Sequence, residues 1–367
     1  MKRLPSCPSG WSTWTRPGWT AVILADVGVL SLAIRHAPHV QRHISTQASI
    51  VNYQSARAWH ELGAHRSILA RELSLEEIRE IRQKAPKELE IEAFAHGAMC
   101  VSYSGRLPAV QLHDAGRDSN RGECAQPCRY RYALMEEKRP GEYFPIYEDN
   151  QGTYIMNSRD MCMIDHVPQL MEAGLDSLKL EGRAKSAYYA AIVTGAYRHA
   201  IDAAAAGQPL DPVWRDEVEH ISHRHYSTGF YFGQPGQFTQ DSRYVRDWQI
   251  VAKVLSCDSE GNATLTLNNK FSVGDTLELV GPDVRPQSLT VEGLWDESGE
   301  ALDQVRKPQM VFRMKLPQAV PPLSLLRRQA DAPFKTKNSP DEAVRAVSLN
   351  LPKTGCRRPA SPSRCRR

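Results

Sequence analysis

Short apolar segments alternate with helix-like segments from about residue 21 to residue 206. The run AVILADVGVLSLAI (21–34) predicts a strand followed by the start of a helix. In SLEEI, Ser74 is placed as an N-cap with Glu77 three residues later, which is a capping box. The Ala-rich run before Gly207 predicts a long helix. Strict alternation of strand and helix predicts parallel strands, so we expect an α/β fold with a (β/α) barrel-like body.

The pattern changes after Gly207. WQIVAKVLS, NATLTLN and QMVFRMKLP alternate apolar and polar residues between Gly, Asn and Asp turns, which predicts a small C-terminal antiparallel β-barrel. Residues 1–20 contain three Trp and no periodicity, so we expect the barrel to be incomplete at its N-terminus. The predicted parts are an aberrant segment (1–20), a barrel body (21–207) with a cysteine segment (92–132), a connecting arm (208–246), a β-barrel (247–329) and a disordered basic tail (330–367).

Charge and composition narrow the class of protein. The chain of 367 residues is 41% hydrophobic and 24% charged, which is ordinary for a globular protein. Residues 1–20 and 353–367 hold nine basic residues and no acid, so the net charge of +4 becomes −5 for the rest of the chain. The body therefore encodes no general attraction for nucleic acid. The longest apolar run contains Asp26 and no signal peptide is evident, so we expect a cytoplasmic protein without a membrane partner.

Four cysteines are candidates for a metal site. Cys124 and Cys128 are separated by three residues, Cys100 lies upstream, and Cys162 lies near the next predicted strand. Four thiolates commonly hold an iron–sulfur cluster. A zinc site is less well supported because the three-residue spacing differs from that of common zinc knuckles. Isolated cysteines are also often small buried side chains, and spacing alone leaves that alternative open.

Other candidate residues follow the predicted strands. His96, Glu181 and Arg183 are candidate catalytic residues, because chemistry in such folds lies at the carboxyl ends of strands. A structural role for His96 and a plain salt bridge for the charged pair are the alternatives. The candidate substrate-binding residues are Gln47, Arg71, Asn157, Arg129 and Arg131. The last two alternate with Tyr130 and Tyr132, which suits nucleic acid but also suits a strand with one solvated face.

A long stretch resembles a known family. In EAFAHGAMCVSYSGR (92–106), the residues that match are Glu92, Phe94, Gly97, Ala98, Met99, Cys100 and Gly105. Further matching segments are GRDSNRGECAQPCRYRY, GTYIMNSRDMC, DSLKLEGRAKSAYY and KFSVGDTLEL. The chain resembles the U32 peptidase-like family from about residue 20 to 328, especially its branch of tRNA uridine 5-hydroxylation proteins. This resemblance implies hydroxylation of the wobble uridine of tRNA, with a [4Fe–4S] cluster on Cys100, Cys124, Cys128 and Cys162 and prephenate as co-substrate.

The resemblance fails between Arg106 and Gly116. The family has a cysteine two residues after Gly105, and this sequence has Leu107. Codons for Leu-Pro-Ala-Val-Gln-Leu-His-Asp can encode Cys-Leu-Leu-Ser-Asn-Tyr-Met when they are read one base later. We therefore hypothesise that residues 107 to about 115 come from a shifted reading frame.

The sequence leaves three possible functions open. The first is tRNA hydroxylation, and the second is a U32-type, collagenase-like peptidase. Against the peptidase, the sequence contains no evident Ser/His/Asp set and no H-E-x-x-H zinc helix. The third is an inactive truncated remnant, which the incomplete barrel and Leu107 favour. A barrel without its first units would leave unpaired strand edges, so we expect marginal solubility.

Overall fold

The computed structural model describes residues 19–99, 133–134, 144–145, 159–183, 185–235, 245–282 and 284–330. The first part of the chain is mixed α/β. Its strands are β1 (Ala21–Leu24), β2 (Gln41–Ile44), β3 (Arg66–Ile68), β4 (Glu90–Ala98), β5 (Ala133–Leu134), β6 (Phe144–Pro145), β7 (Asp160–Cys162), β8 (Ser177–Glu181) and β9 (Tyr226–Ser227). Its helices are α1 (Val27–His36), α2 (Tyr53–Glu61), α3 (Leu75–Lys84), α4 (Val167–Glu172), α5 (Ala187–Ala205) and α6 (Pro212–Glu217).

Capping side chains set the starts of the helices. The predicted capping box of α3 is confirmed, since Ser74 Oγ accepts from the Glu77 amide at 3.3 Å and Glu77 Oε2 accepts from the Ser74 amide at 2.7 Å. Asp26 caps α1. The long helix α5 ends just before Gly207, whose φ of +65° is left-handed as the sequence predicts for a helix stop.

The central sheet is built around β4. Strands β1, β2, β3 and β4 pair in parallel in chain order, and β8 pairs in parallel with β4. The predicted parallel alternation is wrong for β7, which runs antiparallel to the end of β4. Such a pairing needs no helical crossover, and β7 is only three residues long. Strand β9 in turn pairs in parallel with β7.

Apolar side chains of the helices cover this sheet. Leu30 of α1, Ile78 of α3 and Tyr197 of α5 share one core with Ile44 and Ile91 of the sheet. Within the described residues β1 pairs only with β2 and β9 only with β7, so a closed barrel is not confirmed. Among the helices of the described ranges, none has the length and apolar character that a bilayer crossing requires.

The second part of the chain is an antiparallel β domain. Its strands are β10 (Trp248–Cys257), β11 (Asn262–Leu267), β12 (Phe271–Ser272), β13 (Thr276–Gly281), β14 (Val284–Thr290), β15 (Leu294–Trp295), β16 (Ala301–Leu302), β17 (Gln304–Val305), β18 (Val311–Lys315) and β19 (Leu325–Gln329). Eight of them form one sheet in the order β14-β13-β19-β10-β11-β18-β15-β16. Alternating side chains fill a separate core around Val254, Leu265 and Phe312. The predicted change of fold class after the long helix is therefore confirmed.

A buried arginine joins the two parts. Arg327 of β19 is 0% exposed and donates hydrogen bonds to Glu217 of α6, Glu278 of β13 and the hydroxyl of Tyr188 of α5. Its guanidinium also lies 4.7 Å from the ring centroid of Trp248. Because a buried cation requires counter-charges and hydrogen bonds, this cluster fixes the β domain against the α/β body.

Candidate active site at the carboxyl ends of the parallel strands

The parallel strands bring several predicted residues to one edge of the sheet. Gln47 lies in a 3₁₀ helix (Thr46–Ala48) just after β2, and Arg71 lies three residues after β3. His96 lies near the end of β4, and Glu181 is the last residue of β8. Ligands of α/β sheets bind outside this edge, which makes it the candidate site.

A glycine allows β4 and β8 to approach closely there. Gly97 has a φ of +115°, and a Cβ at this position would lie 2.3 Å from the carbonyl oxygen of Glu181. The register also shifts between Phe94 and His96, so that His96 pairs with Leu180. Gly97 and this bulge therefore set the position of Glu181 beside the end of β4.

His96 is enclosed by aromatic rings. The side chain is 1% exposed, and its ring centroid lies 5.9 Å from that of Tyr189, 5.4 Å from that of Tyr197 and 5.3 Å from that of Tyr226. Neither ring nitrogen has a hydrogen-bond partner among the described residues. Burial, with smaller contributions from His223 and Lys185, lowers the pKa of His96 to about 3. His96 is therefore neutral at pH 7, a poor general base but able to donate one hydrogen bond and accept another.

Cys162 lies opposite His96 in the β4–β7 pair. Burial raises the pKa of the Cys162 thiol to about 11, so the free side chain keeps its proton at pH 7. Its Sγ lies 4.0 Å from the hydroxyl of Tyr197. That hydroxyl donates to the Ala95 carbonyl at 2.7 Å and accepts from the Met163 amide at 2.9 Å. Tyr197 thus holds the bulge of β4 and the end of β7 together around the thiol.

A buried ion pair borders the same region. Asp160 of β7 is 1% exposed, and its Oδ2 lies 3.5 Å from Lys185 Nζ and accepts from the Arg224 amide at 3.2 Å. Lys185 Nζ also donates to the Ser222 carbonyl at 2.9 Å. These contacts attach the segment after β8, which carries Arg183, to β7.

Arg71 belongs to a different group of contacts from His96. Its guanidinium carbon lies 3.9 Å from the ring centroid of Phe94, and Lys179 Nζ lies 5.6 Å from that centroid. Lys179 also approaches Glu92 at 3.5 Å, and Glu92 accepts from Arg66 at 2.8 Å. The bulge after Phe94 explains this division, because it changes the face of the sheet on which the next side chain lies.

The remaining predicted residues fall in two classes. Arg183 is exposed, and its amide donates to Glu181 Oε1 at 3.0 Å. Six predicted site residues lie outside the described ranges: Cys100, Cys124, Cys128, Arg129, Arg131 and Asn157. Their ligand and binding roles stay predictions, as do the catalytic roles of His96, Glu181 and Arg183.

Sequence reasoning missed the residues that surround His96 and Cys162. Tyr197 belongs to the buried stripe of α5, where the sequence pattern does not distinguish it from core packing. Asp160 is not among the predicted residues, although an acid within the apolar run around Met161 and Met163 is a signal for a buried charge. Tyr226 lies in the predicted connecting arm, where no strand was expected to reach the sheet.

Comparison with known proteins identifies the family. Residues 5–241 match Peptidase family U32, and residues 246–327 match the Peptidase family U32 C-terminal domain. The chain belongs to peptidase family U32. The junction between the two matched regions falls between α6 and β10, where the α/β body meets the β domain.

Relatives within this family carry two kinds of names. The chain is 36% identical to tRNA hydroxylation protein P1 of Bacillus subtilis, over 84% of this chain and 74% of that protein. It is 38% identical to tRNA hydroxylation protein P of Escherichia coli, over 78% of this chain and 72% of that protein. It is also 30% identical to a collagenase of Porphyromonas gingivalis, over 72% of this chain and 66% of that protein.

Proposed function

We propose that this U32 family protein is a tRNA-modifying enzyme that forms 5-hydroxyuridine at the wobble position, acting in the cytoplasm. The observation that carries the proposal is the extent of its similarity to the two tRNA hydroxylation proteins, at 36% and 38% identity over most of the chain. The neutral, buried His96 supports it, since an unpartnered donor and acceptor at this edge suits a small polar reactant.

A peptidase activity finds less support in the described residues. Ligand atoms of Glu217, His220 and Glu278 lie within 4.8 Å of one another, which is a candidate metal arrangement. Arg327 already donates hydrogen bonds to both glutamates and approaches His220 Nδ1 at 3.1 Å. A guanidinium in this position supplies the positive charge that a metal ion would bring, so we do not assign a metalloprotease site there.

For the cofactor we propose a [4Fe–4S] cluster held by Cys100, Cys124, Cys128 and Cys162. Cys162 suits this role, because its sulfur lies 4.0 Å from the Tyr197 hydroxyl and accepts a backbone hydrogen bond from Ile164, and the sulfur of a cluster ligand can keep both contacts. Metal binding would displace the thiol proton that burial retains. The bound cluster would supply electron transfer. The residues of the chain would exclude water around it, through Tyr197 and Tyr226, and present His96 as a neutral hydrogen-bonding group.

For the co-substrate we propose prephenate, whose carboxylates suit an arginine at the rim. Arg183 is exposed at the end of β8 and offers a two-pronged contact. We further propose that the α/β body is a (β/α) barrel and that the β domain is a small β-barrel. The position of Leu107 also lies there, so sequencing of codons 100–130 of the encoding DNA tests the frameshift hypothesis.

The function is tested by complementation. The chain is expressed in a bacterium that lacks its own tRNA hydroxylation genes, and tRNA nucleosides are measured by mass spectrometry. We expect 5-hydroxyuridine to return, with the empty vector as control. Soluble chain at a level matching an active relative, with no 5-hydroxyuridine, would overturn the proposal and favour the inactive remnant.

A further inference from the structure

One surface of the β domain has an unusual distribution of charge. Residues 246–330 contain ten Lys or Arg and eleven Asp or Glu, so the domain as a whole is not basic. Strands β10, β11, β15 and β18, which are neighbours in the sheet, nevertheless contain no acid. Their charged residues are all basic. These four neighbouring strands therefore carry an excess of positive charge, and the overall composition of the domain does not show it.

The strand register places these basic residues together. In β18 Phe312 and Met314 are buried in the core, whereas Arg313 and Lys315 between and after them are exposed. Arg313 pairs with Trp295 of β15 on one side and with Thr264 of β11 on the other. Paired residues project on the same side of a sheet. The half-buried Lys253 of β10 pairs with Thr266 of β11, two residues from Thr264, so it lies on the same side. We name the side chains of Lys253, Trp295, Arg313 and Lys315 the basic face.

Two acids close to the basic face, Asp258 and Asp296, accept hydrogen bonds within their own turns, whereas Glu292 and Glu297 near Trp295 are exposed. Asp258 accepts hydrogen bonds from the amides of Glu260 at 2.9 Å and Asn262 at 2.8 Å. Asp296 accepts in the same way from the amides of Ser298 and Glu300, at 2.9 Å each. Lys315 Nζ donates to Asn262 Oδ1 at 3.4 Å, and hydrogen bonds from Asn262, with a smaller contribution from the charge of Lys315, lower the pKa of Asp258. Arg313 has no ion pair among the described residues, so its charge is available for a partner, whereas Lys315 is shared with the turn of Asp258.

Trp295 adds an aromatic group to this charged surface. Its side chain is 38% exposed although it is a large apolar residue. The neighbouring Gly293 makes room for the indole, since a Cβ there would lie 2.7 Å from Trp295 Cη2. An exposed aromatic ring next to arginine and lysine is the combination that binds single-stranded nucleic acid, by base stacking and by phosphate contacts.

We propose that the basic face binds the tRNA substrate, with phosphates on Lys253, Arg313 and Lys315 and one unpaired base stacked on Trp295. The proposal rests on the tRNA-modifying function proposed above and adds the surface that holds the RNA. The β domain then binds the RNA, and the reaction takes place at the edge of the sheet in the α/β body.

The test measures binding of unfractionated bacterial tRNA to the full chain at several salt concentrations. The double variant Arg313→Ala/Lys315→Ala is compared with Arg35→Ala/Lys87→Ala, which removes the same charge from exposed positions of the α/β body. We expect only the first to weaken binding and to reduce the slope of log K against log salt, by about 2. Equal effects of the two variants would overturn the proposal that the basic face binds tRNA.

The stacking contact is tested separately at Trp295. We expect Trp295→Ala to weaken tRNA binding by roughly 5-fold to 150-fold and Trp295→Phe to restore most of it. Unchanged affinity of Trp295→Ala would overturn the stacking role. Normal 5-hydroxyuridine formation with tRNA binding that is insensitive to all these variants would reject the basic face but leave the proposed function intact. Wild-type chain that neither binds tRNA nor forms 5-hydroxyuridine would reject both.

Discussion

Arg327 and Glu217 are joined across the two parts of the chain by two hydrogen bonds, of 2.8 Å and 2.5 Å. The side chain of Arg327 is 0% exposed and that of Glu217 is 3% exposed. Burial alone would raise the pKa of Glu217, but hydrogen bonds from His220 and Arg327 outweigh it and lower the pKa below its ordinary value. Both partners are therefore charged at neutral pH, and each stabilises the buried charge of the other.

We expect Arg327→Met to lower the free energy of unfolding by about 3–5 kcal/mol, because it leaves the buried carboxylate of Glu217 without its partner. Urea unfolding followed by circular dichroism measures the loss. The control is Arg285→Ala, which removes an exposed ion pair with Asp211 that also links the two parts. No measurable change is expected there, since exposed pairs contribute little. Equal losses in the two variants would contradict the special role of Arg327.

The acid sensitivity of the chain is predicted to depend on His96. Burial lowers its pKa from 6.5 to about 3, so between these values the unfolded chain binds a proton that the folded chain does not. The contribution of His96 to the free energy of unfolding is therefore fully present above pH 6.5. It falls as the pH drops toward 3, by up to about 1.4 kcal/mol per pH unit. We expect His96→Phe to remove this part of the dependence of the free energy of unfolding on pH. Urea unfolding of both proteins at pH 7, 6 and 5 measures it.

The same variant separates structure from function. His96→Phe places a ring among three aromatic rings and removes two buried nitrogens that have no partner among the described residues. We therefore expect stability at pH 7 to be kept or raised, while 5-hydroxyuridine formation is lost. A stable variant with full activity would show that His96 is a packing residue only.

The elements of this fold could largely be predicted, because they depend on local signals. The capping box of Ser74, the helix stop at Gly207 and the alternation in β11 and β18 each lie within a few residues. The surroundings of His96 could not, since Tyr197 and Tyr226 are 101 and 130 residues away along the chain. Nor could the direction of β7, because β7 pairs with β4 through residues that are distant along the chain, such as Cys162 and His96.

Gly97 is predicted to be intolerant of any side chain. Its φ of +115° is unfavourable for other residues, and a Cβ would lie 2.3 Å from the carbonyl oxygen of Glu181. We expect Gly97→Ala to lower the free energy of unfolding by at least ~2 kcal/mol. Gly195→Ala is the matched control, because Gly195 lies inside α5 and a Cβ added there would meet nothing within 4 Å. That change is expected to stabilise the chain by roughly 0.5–1 kcal/mol.

Cys162 provides the sharpest test of the proposed cluster. Because Leu107 stands in place of the cysteine that the family resemblance implies, the cluster proposed above takes its fourth thiolate from Cys162, beside Cys100, Cys124 and Cys128. We expect Cys162→Ser to lose most of the iron and sulfide of anaerobically purified chain, because a serine hydroxyl is a much poorer iron ligand than a thiolate.

Cys257→Ser is the matched control for this loss. Cys257 is a half-buried free cysteine in β10 of the other domain, where it packs against the core of that domain and its Sγ donates to the Asp258 carbonyl at 3.5 Å. The control should keep its iron, and the thermal unfolding of both variants should stay close to that of the wild type. Equal iron in the two variants would remove Cys162 from the ligand set and leave its thiol as a buried packing group beside Tyr197. Iron lost from Cys162→Ser alone would make Cys162 the ligand that compensates for Leu107.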